Sequence, residues 1–115
     1  MTIREYQALA ARTINQELTQ IQLTDHALLG LGSEVGEVMG LFQKVYQGHV
    51  RSDEQTIKEM GDVLWFLAEL ATALGVELED IARQNIDKLL GRYHDGFSAD
   101  KSVNRPEYAN QEKKG

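Results

Sequence analysis

Apolar residues recur every three or four positions through most of this chain, and the breaks between those runs divide it into helices. Ile3, Tyr6, Ala10, Ile14, Leu18 and Ile21 step in this way, predicting a helix from Thr2 to about Leu18, because that spacing lines one face of an α-helix. Thr2 can cap it, with Glu5 three residues on completing a capping box. A second helix is predicted to start at Thr24 or Asp25, to carry Leu28, Leu31, Val35, Val38, Phe42 and Val45 on its core face, and to end near Gly48. Ser52 or Asp53 can cap a third that runs to about Leu74 and stops at Gly75.

The third helix is apolar almost all round. Ile57, Met60, Leu64, Leu67 and Ala71 form one stripe, while Val63, Trp65, Phe66 and Leu70 spread over the other faces, which predicts a central helix or one covered by a second subunit. A strand over Val63 to Leu67 is the competing reading, and the long periodic flanks favour the helix. After the Gly75-Val76 turn, Glu77, Glu79 and Asp80 begin a fourth helix and Lys88, Arg92 and His94 end it, both favourable to the helix dipole. Leu78, Ile81, Ala82, Ile86, Leu89 and Tyr93 supply its buried face. From Asp95 onward small and polar residues and the lone Pro106 predict an irregular arm and a frayed terminus. The expected architecture is all-α, a four-helix bundle forming one domain over residues 1–105, followed by a flexible tail over 106–115.

Composition narrows the function. A chain of 115 residues that is 42% apolar holds one modest core. Eighteen acids against 12 bases give a formal charge of -6, which argues against nucleic-acid binding, since a duplex demands a basic footprint. There is no cysteine for disulfide or thiolate chemistry. The first residues lack the apolar core of a signal peptide, and the densest apolar run, Val63 to Ala68, is closed by Glu69, far short of the ~20 residues that span a bilayer. A soluble, cytoplasmic protein is expected.

Four acids stand out. Glu34 and Glu37 are three residues apart in one apolar helix, and Glu59 and Asp62 are three apart in the next, so each pair projects from one side of its helix and two facing helices can converge all four. At ~100° per residue, Glu34 falls between Leu41 and Val45 within the apolar arc, with Glu37 at its margin, and Glu59 falls between Phe66 and Leu70. Carboxylates gathered there repel and resist ionisation unless a cation compensates them. All-oxygen ligation suits a hard cation such as Mg²⁺ or Mn²⁺. His26, His49 and His94 each lie outside helical spacing of the quartet, which argues against zinc. Acid pairs at this spacing usually decorate a solvated face, and it is their doubling on two apolar helices that favours a metal site. Gly32, Gly36 and Gly40, at intervals of four, and Gly61 between the second pair each cost about 1 kcal/mol relative to alanine, so close approach of a ligand, or tight helix packing, is expected there.

The run Leu31-Gly32-Ser33-Glu34-Val35-Gly36-Glu37, followed by Lys58-Glu59-Met60-Gly61-Asp62-Val63-Leu64-Trp65-Phe66-Leu67-Ala68, resembles the MazG-like all-α nucleoside triphosphate pyrophosphohydrolases, marked by E-x-x-E and then E-x-x-D. The similarity continues through Leu74-Gly75-Val76, Asn85 to Leu89 and Arg92 to Ser98, covering roughly residues 24–105. It implies hydrolysis of a nucleoside or deoxynucleoside triphosphate to monophosphate and pyrophosphate, with Glu34, Glu37, Glu59 and Asp62 holding Mg²⁺, or Mn²⁺ in its place. It also implies phosphate contacts from Lys88 and Arg92, a polar contact from Asn85, and an obligate dimer that can pair into a tetramer. Two positions depart from the family pattern: Ser33 stands where many relatives carry a further glutamate, and Gln55 where a base is common, so that Lys58, Arg51 or Lys44 would substitute. Tyr93 and Trp65 can stack on a base, although packing is the more ordinary role of Trp65. Two other classes compete with the enzyme reading: a non-catalytic metal- and nucleotide-binding regulatory bundle, and a purely structural dimerisation module.

Overall fold

A computed structural model describes residues 1–108 of the chain. Its elements are all helical: α1 (Ile3–Ala11), α2 (Gln20–Val45), α3 (Asp53–Ala73), α4 (Leu78–Arg92), α5 (Ala99–Asn104) and a 3₁₀ turn (Pro106–Tyr108). No strand occurs among the described residues, so Val63 to Leu67 is helix. The backbone gathers into two compact units, residues 1–78 and residues 79 onward.

The first unit is organised by its helix ends. Thr2 caps α1 by accepting from the Glu5 amide at 3.0 Å, as expected. The helix stops at Ala11 rather than continuing to Leu18. Thr13 bonds back to the Ala10 carbonyl, and Asn15 Oδ1 accepts from the Glu17 amide at 3.0 Å, so local side chains offer the backbone a turn in place of the next helical bonds. Thr19 then starts α2 with a full capping box to Gln22, five residues before the Thr24 expected from the sequence. Ser52 caps α3 as predicted, and Gly48 and Gly75 take the left-handed φ of +92° and +71° that ends the helices before them.

The antiparallel pair α2 and α3 is the main body of this unit, and α1 packs on α3. Gln7 of α1 donates to the Val76 carbonyl at 3.0 Å and accepts from the Leu78 amide at 2.7 Å. Gln20 at the start of α2 donates to the Ala73 carbonyl at 3.0 Å, fastening the same C-terminal end of α3. The buried apolar residues are mostly small: Ala10, Ala27, Ala68, Ala71 and Ala73, joined by Ile14 and Leu78. Trp65 lies against the Ala10, Ala68 and Leu78 cluster and donates its indole N–H to Thr13 at 2.9 Å.

Two expectations are corrected here. The face of α2 read as core is largely open, with Val35, Phe42 and Val45 40–49% exposed. Along the α3 stripe, exposure falls from 66% at Ile57 through 42% at Leu64 to 1% at Ala71, so among the described residues this stripe is enclosed toward the C-terminal end of the helix. The glycine reading also shifts. A Cβ at Gly32, Gly36, Gly40 or Gly61 would meet nothing within 4 Å, whereas one at Gly30 would lie 2.0 Å from Phe66. The tight helix contact is therefore at Gly30, where the absent side chain lets the phenyl ring lie against the backbone.

In the second unit, Glu79 and Asp80 occupy the first turn of α4 and Arg92 its last. The segment expected to be an irregular arm contains α5 and the 3₁₀ turn instead. Gly96 reverses the chain at φ +93°, and Ser98 caps α5 by accepting from the Lys101 amide. Of the tail expected over 106–115, residues 109–115 lie outside the described residues.

Candidate metal centre

The acids are brought together by the antiparallel register of α2 and α3. Glu69 meets His26, Phe66 meets Gly30, and two turns from the first of these contacts Glu34 meets Glu59 and Asp62. One carboxylate oxygen from each of Glu34, Glu59 and Asp62 lies within 4.8 Å of the others. Glu37 stays outside this cluster and is exposed, as is Asp62, while Glu34 and Glu59 are half-buried. The expected burial of the quartet is thus met only in part, by Glu34 and Glu59.

Charge crowding is nonetheless visible. The Glu34 carboxyl is held above its ordinary range by desolvation first, and then by the charges of Asp62, Glu59 and Glu37. Tyr6 of α1 also feels the site: burial and the Asp62 charge raise its phenol above its usual value. That influence was missed in the sequence because Tyr6 reads simply as one step of the α1 apolar face.

The donor set fits a hard cation. Oxygen ligands at 2.0–2.1 Å from Mg²⁺ stand at most ~4.2 Å apart, so small side-chain rotations would close this cluster around one ion. Beside it, Val35, Val38, Met39, Met60, Leu64 and Leu67 line an almost entirely apolar cleft of about 570 Å³.

The other residues named from the sequence are placed as follows. Lys58 is exposed on α3 and pairs with Glu54 at 3.5 Å. Arg51 is engaged by Asp53 at 2.7 Å, by Thr56 at 2.9 Å and by the Phe42 ring at 4.6 Å. Lys44 lines a small cleft with Arg51, His49 and Gln55. Asn85, Lys88, Arg92 and Tyr93 belong to the second unit, on α4 and just after it. There Arg92 donates through Nε to Glu107 at 2.7 Å and through Nη2 to the same oxygen. The Tyr93 hydroxyl is drawn below its ordinary value chiefly by its hydrogen bond with Ser102, with Arg92 adding to the effect.

Among the described residues, no helix is long and apolar enough to cross a membrane. The family model described as the MazG nucleotide pyrophosphohydrolase domain matches residues 22–97, a span that contains all four acids and Lys88 and Arg92. Among curated proteins, the chain is 30% identical over 92 residues to the Gene 37 protein of Mycobacterium phage L5, covering 74% of this chain and 79% of that protein. No solved structure matches.

Proposed function

We propose, from the premise that this chain belongs to the MazG nucleotide pyrophosphohydrolase family, that it cleaves nucleoside or deoxynucleoside triphosphates to the monophosphate and pyrophosphate with the help of Mg²⁺. The observation that carries this reading is the convergence of Glu34, Glu59 and Asp62 within 4.8 Å across two helices. Three acids in one place on a free surface would repel one another, and a cation bound to polyphosphate removes that repulsion.

In this reading Glu34, Glu59 and Asp62 hold the cation, and Glu37, at the margin, completes the set when nucleotide arrives. The bound ion supplies charge neutralisation of the polyphosphate and activation of water. The carboxylates orient the attacking water and take up its proton, and the bond broken joins the α-phosphorus to the bridging oxygen, so that pyrophosphate leaves. Lys88 and Arg92 contact phosphate, Arg92 being suited to chelate two oxygens and Lys88 to act as a point charge. Asn85 bonds sugar or phosphate, and Lys58 and Tyr93 are peripheral substrate contacts. Residues 1–105 act as one domain in this account, and the nucleotide pools of the cytoplasm are its place of work.

The half-open α2 and α3 faces support a homodimer, able to pair further into a tetramer. Met39 is 66% exposed and Met60 56% exposed beside the apolar cleft, more bare apolar surface than a lone small domain ordinarily carries. Incubation with a panel of nucleotides and Mg²⁺, with the products identified, tests the activity. Pyrophosphate is the expected product, and orthophosphate alone, or no turnover on any nucleotide, would refute the reading. The position of Glu37 outside the cluster favours one second reading, a regulatory bundle that binds nucleotide without cleaving it, which calorimetry would reveal as binding without product.

A further inference from the structure

We propose that the arm after α4 is an anion-mimicking latch, in which the Glu107 carboxylate holds the guanidinium of Arg92 that a substrate phosphate would take, so that nucleotide must displace the arm to bind. This inference rests on the reading of Arg92 as a phosphate contact.

The geometry leaves two possibilities. Arg92 donates through both Nε and Nη2 to Glu107 Oε1, and the two side chains are only 14% and 19% exposed. While Glu107 holds the Nε–Nη2 edge of the fork and the side chain stays covered, that edge is closed to a phosphate. Either phosphate never uses that edge of Arg92, or the arm moves.

Several features favour movement. Glu107 is a poor fit for its place: both Arg92 donors converge on one oxygen, while Oε2 is buried with no hydrogen-bond partner. A phosphate carries three terminal oxygens and so satisfies both donors and the neighbouring Lys88 together, which a half-satisfied carboxylate does not. Lys88 stands one turn before Arg92 on α4 and is close enough for its charge to act on Glu107, so the carboxylate occupies a place already electropositive in two residues. The arm itself is lightly built. α5 has six residues, none buried, and Arg105 joins it to the 3₁₀ turn in the left-handed conformation at φ +40°, which a side-chain-bearing residue adopts at a cost. Tyr93 lies beside Phe97 in a tilted arrangement, with ring centroids 5.4 Å apart, and Ser102 draws its hydroxyl below the ordinary value. Release of the arm would therefore free Tyr93 along with Arg92.

The test uses the full chain, with inorganic pyrophosphate as the probe. Calorimetry should show Glu107→Gln binding pyrophosphate about tenfold more tightly than wild type, the gain expected for a latch closed about nine-tenths of the time. Arg92→Gln combined with Glu107→Gln should abolish that gain. In wild type, which needs no substitution to fold, pyrophosphate should speed hydrogen exchange at the amides of residues 99–108. Unchanged or weaker binding by Glu107→Gln, or slower exchange in the arm when pyrophosphate is present, would show a structural brace and overturn the proposal. Both measurements read binding without turnover. A chain that hydrolyses no nucleotide but shows the tightening keeps the latch and loses the catalytic reading, and one that turns over without the tightening loses only the latch.

Discussion

His26 and Glu69 join α2 to α3 through a 2.7 Å hydrogen bond between Nδ1 and Oε1, and Glu69, only 1% exposed, keeps its second oxygen buried without a partner. A buried carboxylate with one of its oxygens unsatisfied depends heavily on the partner it has. His26→Ala should therefore destabilise the chain by about 1–3 kcal/mol, whereas Glu69→Gln, which keeps an acceptor for Nδ1 and sheds the charge, should cost less. Urea midpoints of the two variants check this; equal loss would show that the bond itself is unimportant.

Two turns along the same pair of helices, charge should act in the opposite sense. Glu59→Gln removes a repelling carboxylate from the cluster with Glu34 and Asp62, so the metal-free protein should keep or gain melting temperature while Mg²⁺-dependent turnover falls at least about a hundredfold, the scale of losing a group that positions transition-state charge. Glu37→Gln should lose less, since Glu37 lies outside the cluster. Paired melting and activity assays check both, and a fully active Glu59→Gln would exclude it as a ligand.

The pH dependence follows from Glu34. Its carboxyl is held above the ordinary range by burial and by its acidic neighbours, so the fold favours the protonated form. Its contribution to stability is complete below the unfolded carboxylate range and is lost as pH rises through the raised folded value. In the absence of metal, wild type should therefore lose stability relative to Glu34→Gln as pH climbs through that window. Mg²⁺ should cancel the difference at neutral pH. Melting curves of the two proteins across pH, with and without Mg²⁺, measure the effect, and a gap of opposite sign would contradict it.

Gly30 tests the helix contact. Its missing Cβ accommodates Phe66, which an alanine would meet at 2.0 Å, so Gly30→Ala should destabilise by about 1–3 kcal/mol through overpacking. At Gly32 a Cβ has open space, and Gly32→Ala should stabilise the chain by about 0.5–1 kcal/mol through helix propensity. Denaturant titration of both variants separates the two environments.

Much of the fold was legible in the residues. The caps Thr2 and Ser52, the stops at Gly48 and Gly75, and the helical state of Val63 to Leu67 all follow from chemistry confined to a turn or two. The errors were also local. Thr13, Asn15 and Thr19 redirect the chain by side-chain bonds to the backbone, and those signals compete with the periodicity of Ile14 and Leu18 that suggested a continuous helix. α5 was obscured because six residues provide too little periodicity to be read against a polar background.

The spacing of Glu34 with Glu37 and of Glu59 with Asp62 placed each pair on one side of a helix, because helical angles depend on residue separation alone. Which carboxylates meet depends on how two helices slide and roll against each other. That choice rests on Phe66 against Gly30 and on Glu69 against His26, and it admits Glu34, Glu59 and Asp62 while leaving Glu37 outside. The engagement of Arg92 by Glu107 likewise joins residues 15 positions apart through an intervening turn. Local sequence dictated the helices and the kind of chemistry they carry; packing between helices selected the partners, since contact energies between distant residues have no counterpart in the periodicity of either one.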